Sequence, residues 1–373
     1  MKYYLIAGEA SGDLHGSNLM KALKRVDKSA QFHCWGGDLM AEAGGELVKH
    51  YNSLAFMGFW EVVKNLRTIS KNLTFCQRDI TAYQPDVLIL IDYSGFNLRI
   101  AKWAKSTGMK VFYYIAPQVW ASRQSRVQQI KKYVDRLFVI LPFEKTFYQK
   151  FDVTVDFVGH PLLDAIAERQ QRSTPLLLNS SKPIIALLPG SRKQEIATVL
   201  PLFLTTVRRF PAYQFVIAAA PAIPFSFYEK IIKSASLEKE AIEIVADQTY
   251  PLLETSEAAL VTSGTATLET ALFEVPQVVC YKGNWLTYQI AKRLIKVPYI
   301  SLVNLIANRE VVTELIQNDL TTTNLTLELQ RILQPSEAKK MITAYQQLKV
   351  QLGEVGASDR AAQRMFQYLQ ETN

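Results

Sequence analysis

Short apolar runs alternate with longer segments whose apolar positions recur every three or four residues. Runs at 3–7, 87–91, 111–115, 137–140 and 155–158 predict strands in the first half. Runs at 184–188, 215–219, 242–245, 259–261 and 277–279 do so in the second. They are continuous rather than alternating, as in parallel strands buried on both faces. Helical spacing marks 14–26, 98–106, 125–133, 193–209, 267–273, 285–294 and 338–351. This alternation predicts an α/β chain of two Rossmann-like, doubly wound domains. A polar stretch with Pro175, Ser180, Ser181 and Pro183 places a linker at 168–182, between domains at 1–167 and 183–352. Gly353 and Gly356 detach a last helix at 358–370, so 353–373 is expected to return to the first domain.

Two glycine turns stand where a strand gives way to a helix. One is Gly8-Glu9-Ala10-Ser11-Gly12-Asp13; the other is Ser263-Gly264-Thr265-Ala266-Thr267-Leu268-Glu269. Small residues let backbone N–H groups approach a ligand, and a helix N-terminus favours phosphate. One such turn per half implies two nucleotide-type domains with a cleft between them, suited to joining a nucleotide-activated group to a second substrate. The same turns also serve as plain helix caps, and Ser263, Thr265 and Thr267 are good cap residues.

Composition narrows the classes. Three scattered cysteines form no C-x-x-C pair, which argues for a reducing compartment and against a zinc or disulfide framework. The apolar stretch 210–228 is interrupted by Pro211, Pro221 and Pro224, so no membrane-spanning helix is expected. A net charge of +8 fits an anionic partner. The excess is not gathered into a basic tail and no nucleic-acid motif is present, so nucleic acid is not the expected partner. Gly-x-Gly-x-x-Gly, Gly-x-Ser-x-Gly and the P-loop are absent, which disfavours NAD enzymes, serine hydrolases and P-loop ATPases. No Asp-x-Asp pair is present to hold Mg²⁺ or Mn²⁺, and the four histidines form no cluster; no metal or cofactor is expected.

Several polar residues stand at predicted strand ends. Arg192, in Leu188-Pro189-Gly190-Ser191-Arg192, offers a planar donor fork suited to a diphosphate, or is a surface arginine beside a helix. Glu269 is placed to accept ribose hydroxyl protons, or to favour the helix dipole. Asp92 emerges from a buried strand and is a candidate general base, with Glu9 and Asp13 at the equivalent edge of the first strand and His15 just beyond; each also reads as a cap or turn residue. From 54 to 73 the apolar positions repeat at helical spacing, with Trp60, Lys64, Arg67 and Lys71 on a neighbouring stripe and Phe56, Met57 and Phe59 at its start. That is an interfacial membrane helix, or a core helix with a solvated face.

Taken together these stretches resemble the lipid-A-disaccharide synthase family. They are joined by Phe56-Met57-Gly58, Ile91-Asp92 with Phe96-Asn97, Pro117-Gln118-Val119-Trp120-Ala121, Leu141-Pro142-Phe143-Glu144-Lys145 and Ser301-Leu302-Val303-Asn304-Leu305, in family order. The resemblance implies a GT-B fold of two facing domains, with the C-terminal helix crossing back. It implies an inverting, metal-independent transferase that joins UDP-2,3-diacylglucosamine to 2,3-diacylglucosamine 1-phosphate, releasing UDP. It implies a cytoplasmic protein, peripheral on the anionic inner-membrane surface. Catalytic candidates are then Asp92, Glu9, His15 and Arg192. The UDP-sugar would rest on Ser191, Arg192, Ser263, Gly264, Thr265, Ala266, Thr267, Glu269 and Asn304. Ser11, Arg123 and Arg126 would face the acceptor, and Phe56, Met57, Phe59, Trp60, Lys64 and Arg67 the membrane. Gly95 stands where the family commonly has a second aspartate, which leaves Asp92 as the first candidate base. A UDP-sugar 2-epimerase on the same fold and a non-catalytic nucleotide-sugar or lipid-binding protein are the alternatives.

Overall fold

The computed structural model describes residues 1–53, 66–122, 124–171, 176, 181–221, 223–235, 237, 242–284, 288–289 and 297–371. The chain forms two compact units, Met1–Asp164 with Leu352–Asn373, and Ala165–Gln351.

The first unit runs β1 (Lys2–Ala7), α1 (Ala10–Val26), β2 (Gln31–Gly36), α2 (Asp38–Glu42), β3 (Glu46–His50), α3 (Leu66–Tyr83), β4 (Val87–Ile91), α4 (Ser94–Ser106), β5 (Val111–Tyr114), α5 (Val127–Tyr133), β6 (Arg136–Val139), α6 (Pro142–Gln149) and β7 (Asp156–Phe157), and α7 (Leu162–Gln171) carries the chain across the boundary into the second. Among the described residues its parallel sheet has the order β3-β2-β1-β4-β5-β6-β7. The central strands are the continuous apolar runs, so both faces bury side chains: Tyr4, Ile6, Leu88, Leu90 and Tyr113 share one core with Trp35. The register pairs Ala7 with Ile91 and Ile91 with Tyr114, which sets the C-terminal ends of β1, β4 and β5 side by side.

The second unit continues with β8 (Ile184–Leu188), α8 (Lys193–Val207), β9 (Gln214–Ala219), α9 (Phe225–Ser234), β10 (Ile242–Ala246), α10 (Thr249–Thr255), β11 (Ser256–Thr262), α11 (Thr265–Leu272), β12 (Gln277–Tyr281), α12 (Leu302–Ala307), β13 (Glu314–Ile316), α13 (Thr322–Ile332) and α14 (Pro335–Leu352). Its parallel sheet has the order β10-β9-β8-β11-β12-β13. Leu188 pairs with Val261, so the two strands that precede the candidate phosphate turns are neighbours.

A final helix, α15 (Ala357–Gln370), returns to the first unit and packs on α1. Its first turn is held by Asp164, whose carboxylate accepts the N–H groups of Gly356, Ala357 and Ser358 at 2.6, 3.1 and 2.9 Å. Tyr368 Oη donates to Asp156 at 3.2 Å.

The structure differs from expectation at several element boundaries. Residues 168–171, expected to open the linker, are the end of α7, because Leu162, Leu163, Ala165 and Ile166 give that segment a buried helical face. β2, β3 and β13 were not anticipated from the apolar runs, since each carries polar residues on part of its length. The helix expected at 285–294 falls, apart from 288–289, outside the described residues. Among the described residues no helix is long and apolar enough to cross a membrane.

Candidate active site

Two groups of candidate residues are assembled, one at the C-terminal edge of each sheet. In the first unit β1 ends at Ala7 and β4 at Ile91. Gly8 permits a close approach: a Cβ there would lie 2.3 Å from the Tyr93 ring. Glu9 follows, exposed, as the N-cap of α1. Next to it the chain leaves β4 through Asp92 and Tyr93, both left-handed, with φ of +43° and +44°. Side chains rarely adopt that region, and each such residue costs about 1–3 kcal/mol, so the surrounding structure must hold the turn.

Asp92 is exposed, yet protein atoms crowd its carboxyl group. Loss of hydration, with a smaller push from the Glu9 charge, raises its pKa to about 6, against weaker lowering by the Tyr93 N–H. A carboxylate so placed is a stronger base than an ordinary aspartate and is still ionised at neutral pH. The Arg126 guanidinium donates to Ser94 Oγ at 2.9 Å, at the first residue of α4, two residues on from Asp92. Gly95, one residue further, has open space where a Cβ would be.

The other first-unit candidates have different surroundings. Asp13 is buried, and its carboxylate accepts the N–H groups of Gly37, Met40 and Leu39 at 2.7, 3.0 and 3.2 Å. It caps α2 and is not a free base. His15 is partly buried, and its Nδ1 is enclosed without a hydrogen-bond partner. Burial pushes its pKa down to about 4, with Asp164 pulling the other way. Such an imidazole is a weak base compared with Asp92. Ser11 lies exposed on α1, and Arg67 is exposed on α3. Phe56, Met57, Phe59, Trp60, Lys64 and Arg123 lie outside the described residues.

In the second unit, Gly190 takes φ +110°, turning the chain sharply after β8. Ser191 and Arg192 are exposed beyond it, and Arg192 is the N-cap of α8, 3.4 Å from Glu195. A Cβ on Gly190 would touch Thr262 at 3.5 Å, so this turn adjoins the one after β11. There Ser263 Oγ donates to the Ile300 carbonyl at 3.2 Å, while Gly264 and Thr265 are exposed. Ala266 is partly exposed. α11 starts at Thr265, and the first N–H groups of a helix have no acceptor within it. A guanidinium and helix-start N–H groups on adjacent strand ends are the chemistry that suits an anion, the candidate cradle of this unit. Thr267 belongs to its frame rather than its surface: it is buried and donates to the Gly264 carbonyl at 2.8 Å. Glu269 accepts from Tyr250 Oη at 3.1 Å, and burial raises its pKa.

Asn304 is a correction. It is fully buried, its amide donates to the Val312 carbonyl and Glu314 at 2.8 and 2.9 Å, and its oxygen accepts from Val311 and Val312 at 2.7 and 3.0 Å. The amide is used up within the fold and offers nothing to a ligand. Conversely, Asn97 and Tyr113 were not singled out for any role, although both bond the Asp92 backbone. Among the described residues no three His, Cys, Asp or Glu side chains converge as metal ligands.

A family model described as lipid-A-disaccharide synthetase matches residues 3–367. A protein of Geobacter metallireducens named lipid-A-disaccharide synthase is 40% identical over 366 residues, covering 96% of this chain and 94% of that protein. A Coxiella burnetii protein of the same name is 39% identical over 324 residues, 85% of each. Among solved structures, UDP-GlcNAc 2-epimerase from Neisseria meningitidis bound to UDP-GlcNAc aligns with TM-score 0.62 at 12% identity, covering 100% of both chains. The glycotransferase of kitacinnamycin aligns with TM-score 0.64 at 14% identity, covering 99% of both. At such identities the structures share the fold alone.

Proposed function

The chain belongs to the lipid-A-disaccharide synthase family, and from that premise we propose how its own residues carry the reaction. It is a glycosyltransferase that forms the lipid A disaccharide, on a fold of two Rossmann-like units shared with GT-B glycosyltransferases and with epimerases. The donor is UDP-2,3-diacylglucosamine and the acceptor 2,3-diacylglucosamine 1-phosphate. Asp92 removes the proton of the acceptor's 6-hydroxyl. That oxygen bonds to the donor's anomeric carbon, whose bond to the diphosphate oxygen breaks, and the electron pair leaves with UDP. Inversion gives the β-1,6 disaccharide 1-phosphate.

Arg192 and the N–H groups of the Ser263–Ala266 turn meet the charge growing on the diphosphate, as preorganised donors do in other transferases. This reading needs no metal or cofactor. Arg126, beside Ser94 and the Asp92 turn, holds the acceptor's 1-phosphate. The enzyme works as a peripheral protein on the anionic cytoplasmic face of the inner membrane, where both acylated substrates reside.

The observation that carries this reading is the Asp92 carboxylate: set at a strand end, on a left-handed turn, with its pKa raised to about 6. The test is an assay of UDP release and disaccharide formation from the two acylated sugars. Asp92→Asn should lower turnover by about 100-fold or more while donor binding is nearly kept, as expected for a base acting in the chemical step. Arg192→Ala should cost about 100-fold, the loss typical of one charge-stabilising donor. An active Asp92→Asn protein beside an inactive Glu9→Gln or His15→Ala protein would move the base to that residue.

A further inference from the structure

The Asp92 turn is held from beneath by two side chains that do not reach solvent. Its carbonyl oxygen accepts from Tyr113 Oη and from Asn97 Nδ2, the latter at 3.0 Å. The same Asn97 amide reaches the carbonyls of Ile91 at 3.2 Å and Ile6 at 3.4 Å. One side chain thus joins the ends of β1 and β4 to the turn between β4 and α4. Both residues are wholly buried, Tyr113 on β5 and Asn97 in the first turn of α4. A carbonyl oxygen has two acceptor sites, and here both are filled by side chains. On the backbone side, the Asp92 N–H makes only a long bond of 3.4 Å to the Tyr114 carbonyl, while the Tyr93 carbonyl accepts the N–H groups of Phe96 and Asn97 at 3.2 and 3.1 Å at the start of α4.

What these bonds restrain is a conformation that aspartate and tyrosine avoid when free. With Asp92 at φ +43° and Tyr93 at +44°, the Tyr93 ring is laid over Gly8 and the Asp92 side chain is left beside Glu9. A relaxation of either residue to negative φ would rotate the Asp92 carboxylate away from its place. We propose that Tyr113 and Asn97 are positioning residues for the transfer reaction: by bonding the Asp92 carbonyl from the core, they fix the left-handed turn that aims the Asp92 carboxylate. This rests on Asp92 being the base. Neither residue touches a reacting atom; each acts through Asp92.

The test is a double-mutant cycle on the full-length chain, with kcat and KM measured separately. Tyr113→Phe removes one oxygen and leaves the ring. It should lower kcat about 10- to 100-fold, the scale of a small misplacement of a reacting group, and leave the donor KM within about twofold. In the Asp92→Asn background, where no base remains to be aimed, it should change the residual rate by less than about twofold, as expected for residues acting as one unit. Asn97→Ala should behave alike. If it fails to fold, as judged by its melting curve, Tyr113→Phe decides alone. A Tyr113→Phe protein with wild-type kcat beside an inactive Asp92→Asn protein overturns the proposal and leaves the base assignment standing. An equal loss in both backgrounds also overturns it, since the hydroxyl then acts elsewhere. High activity in Asp92→Asn itself removes the base assignment, an outcome read from that variant without Tyr113.

Discussion

At the residue scale, the base proposed for the reaction, Asp92, carries a cost in stability. Its carboxyl group takes up a proton at about pH 6 in the folded chain, against about 3.9 for a free aspartate. Between those values the folded state binds more protons than the unfolded one. Stability therefore falls as pH rises through this window and stays lowered above it. Asp92→Asn should accordingly melt higher than the wild type at pH 8, with the difference vanishing below about pH 4. Base catalysis runs in the opposite direction: kcat/KM should fall as pH drops through about 6, and Glu9→Gln, which removes the like charge, should move that limb lower. Superimposable melting curves for wild type and Asp92→Asn at pH 8 would show that the group is not desolvated. The position of Asp92 at a strand end was legible in the sequence because the apolar run before it is uninterrupted. Asn304 was misread because order along the chain says where a side chain starts, not which way it faces. The part played by Asn97 was hidden for a related reason: one of its partners, Ile6, is far away in the sequence and offers only a backbone carbonyl.

At the scale of elements, the strands that lie in an apolar run announced themselves, including the edge strands β7 and β10, and the strands of mixed composition did not. β3 and β13, each at one edge of its sheet, are of mixed composition, as is β2 beside β3. Helix starts were displaced for another reason. α1 begins at Ala10 and α4 at Ser94, inside glycine- and serine-bearing turns that propensity alone would leave as loop. Tertiary placement overrides propensity there, because each helix starts directly where a central strand stops. The return of α15 was legible from its detachment by two glycines, but its anchor was not. Asp164 takes three N–H groups at its first turn. Asp164→Ala leaves those donors without that partner, and a lost cap typically costs about 1–2 kcal/mol. The variant should unfold at lower urea, with a melting point reduced by a few degrees. An unchanged urea midpoint would mean that packing on α1 alone secures the helix.

At the scale of the whole molecule, the proposed substrates carry acyl chains, and the question is how a chain without a described spanning helix would reach them. For the proposed peripheral role, the net charge of +8 would supply a long-range attraction to an anionic surface, and α3 a local one. Arg67, Lys71, Phe75 and Arg78 are all exposed on α3, and their spacing of four, four and three residues sets them on one face. Phe75 is 46% exposed, an apolar side chain among cations, and Lys49 lies 5.7 Å from its ring centre. Arg67 and Lys71 belong to the basic stripe read from the sequence; its first members, Trp60 and Lys64, lie outside the described residues. Each basic side chain close to an anionic membrane contributes about 1 kcal/mol, and salt screens that contribution. Three charges reversed should therefore weaken vesicle binding strongly at low salt and very little at high salt. The expected outcome for Arg67→Glu/Lys71→Glu/Arg78→Glu is loss of sedimentation with phosphatidylglycerol vesicles at low salt. Turnover on detergent-dispersed substrates should remain, because none of the three belongs to the proposed catalytic machinery. If the reversed protein still sediments with those vesicles as the parent does across the salt series, this face is not the docking surface, and attraction must come from the charge distributed over the rest of the chain.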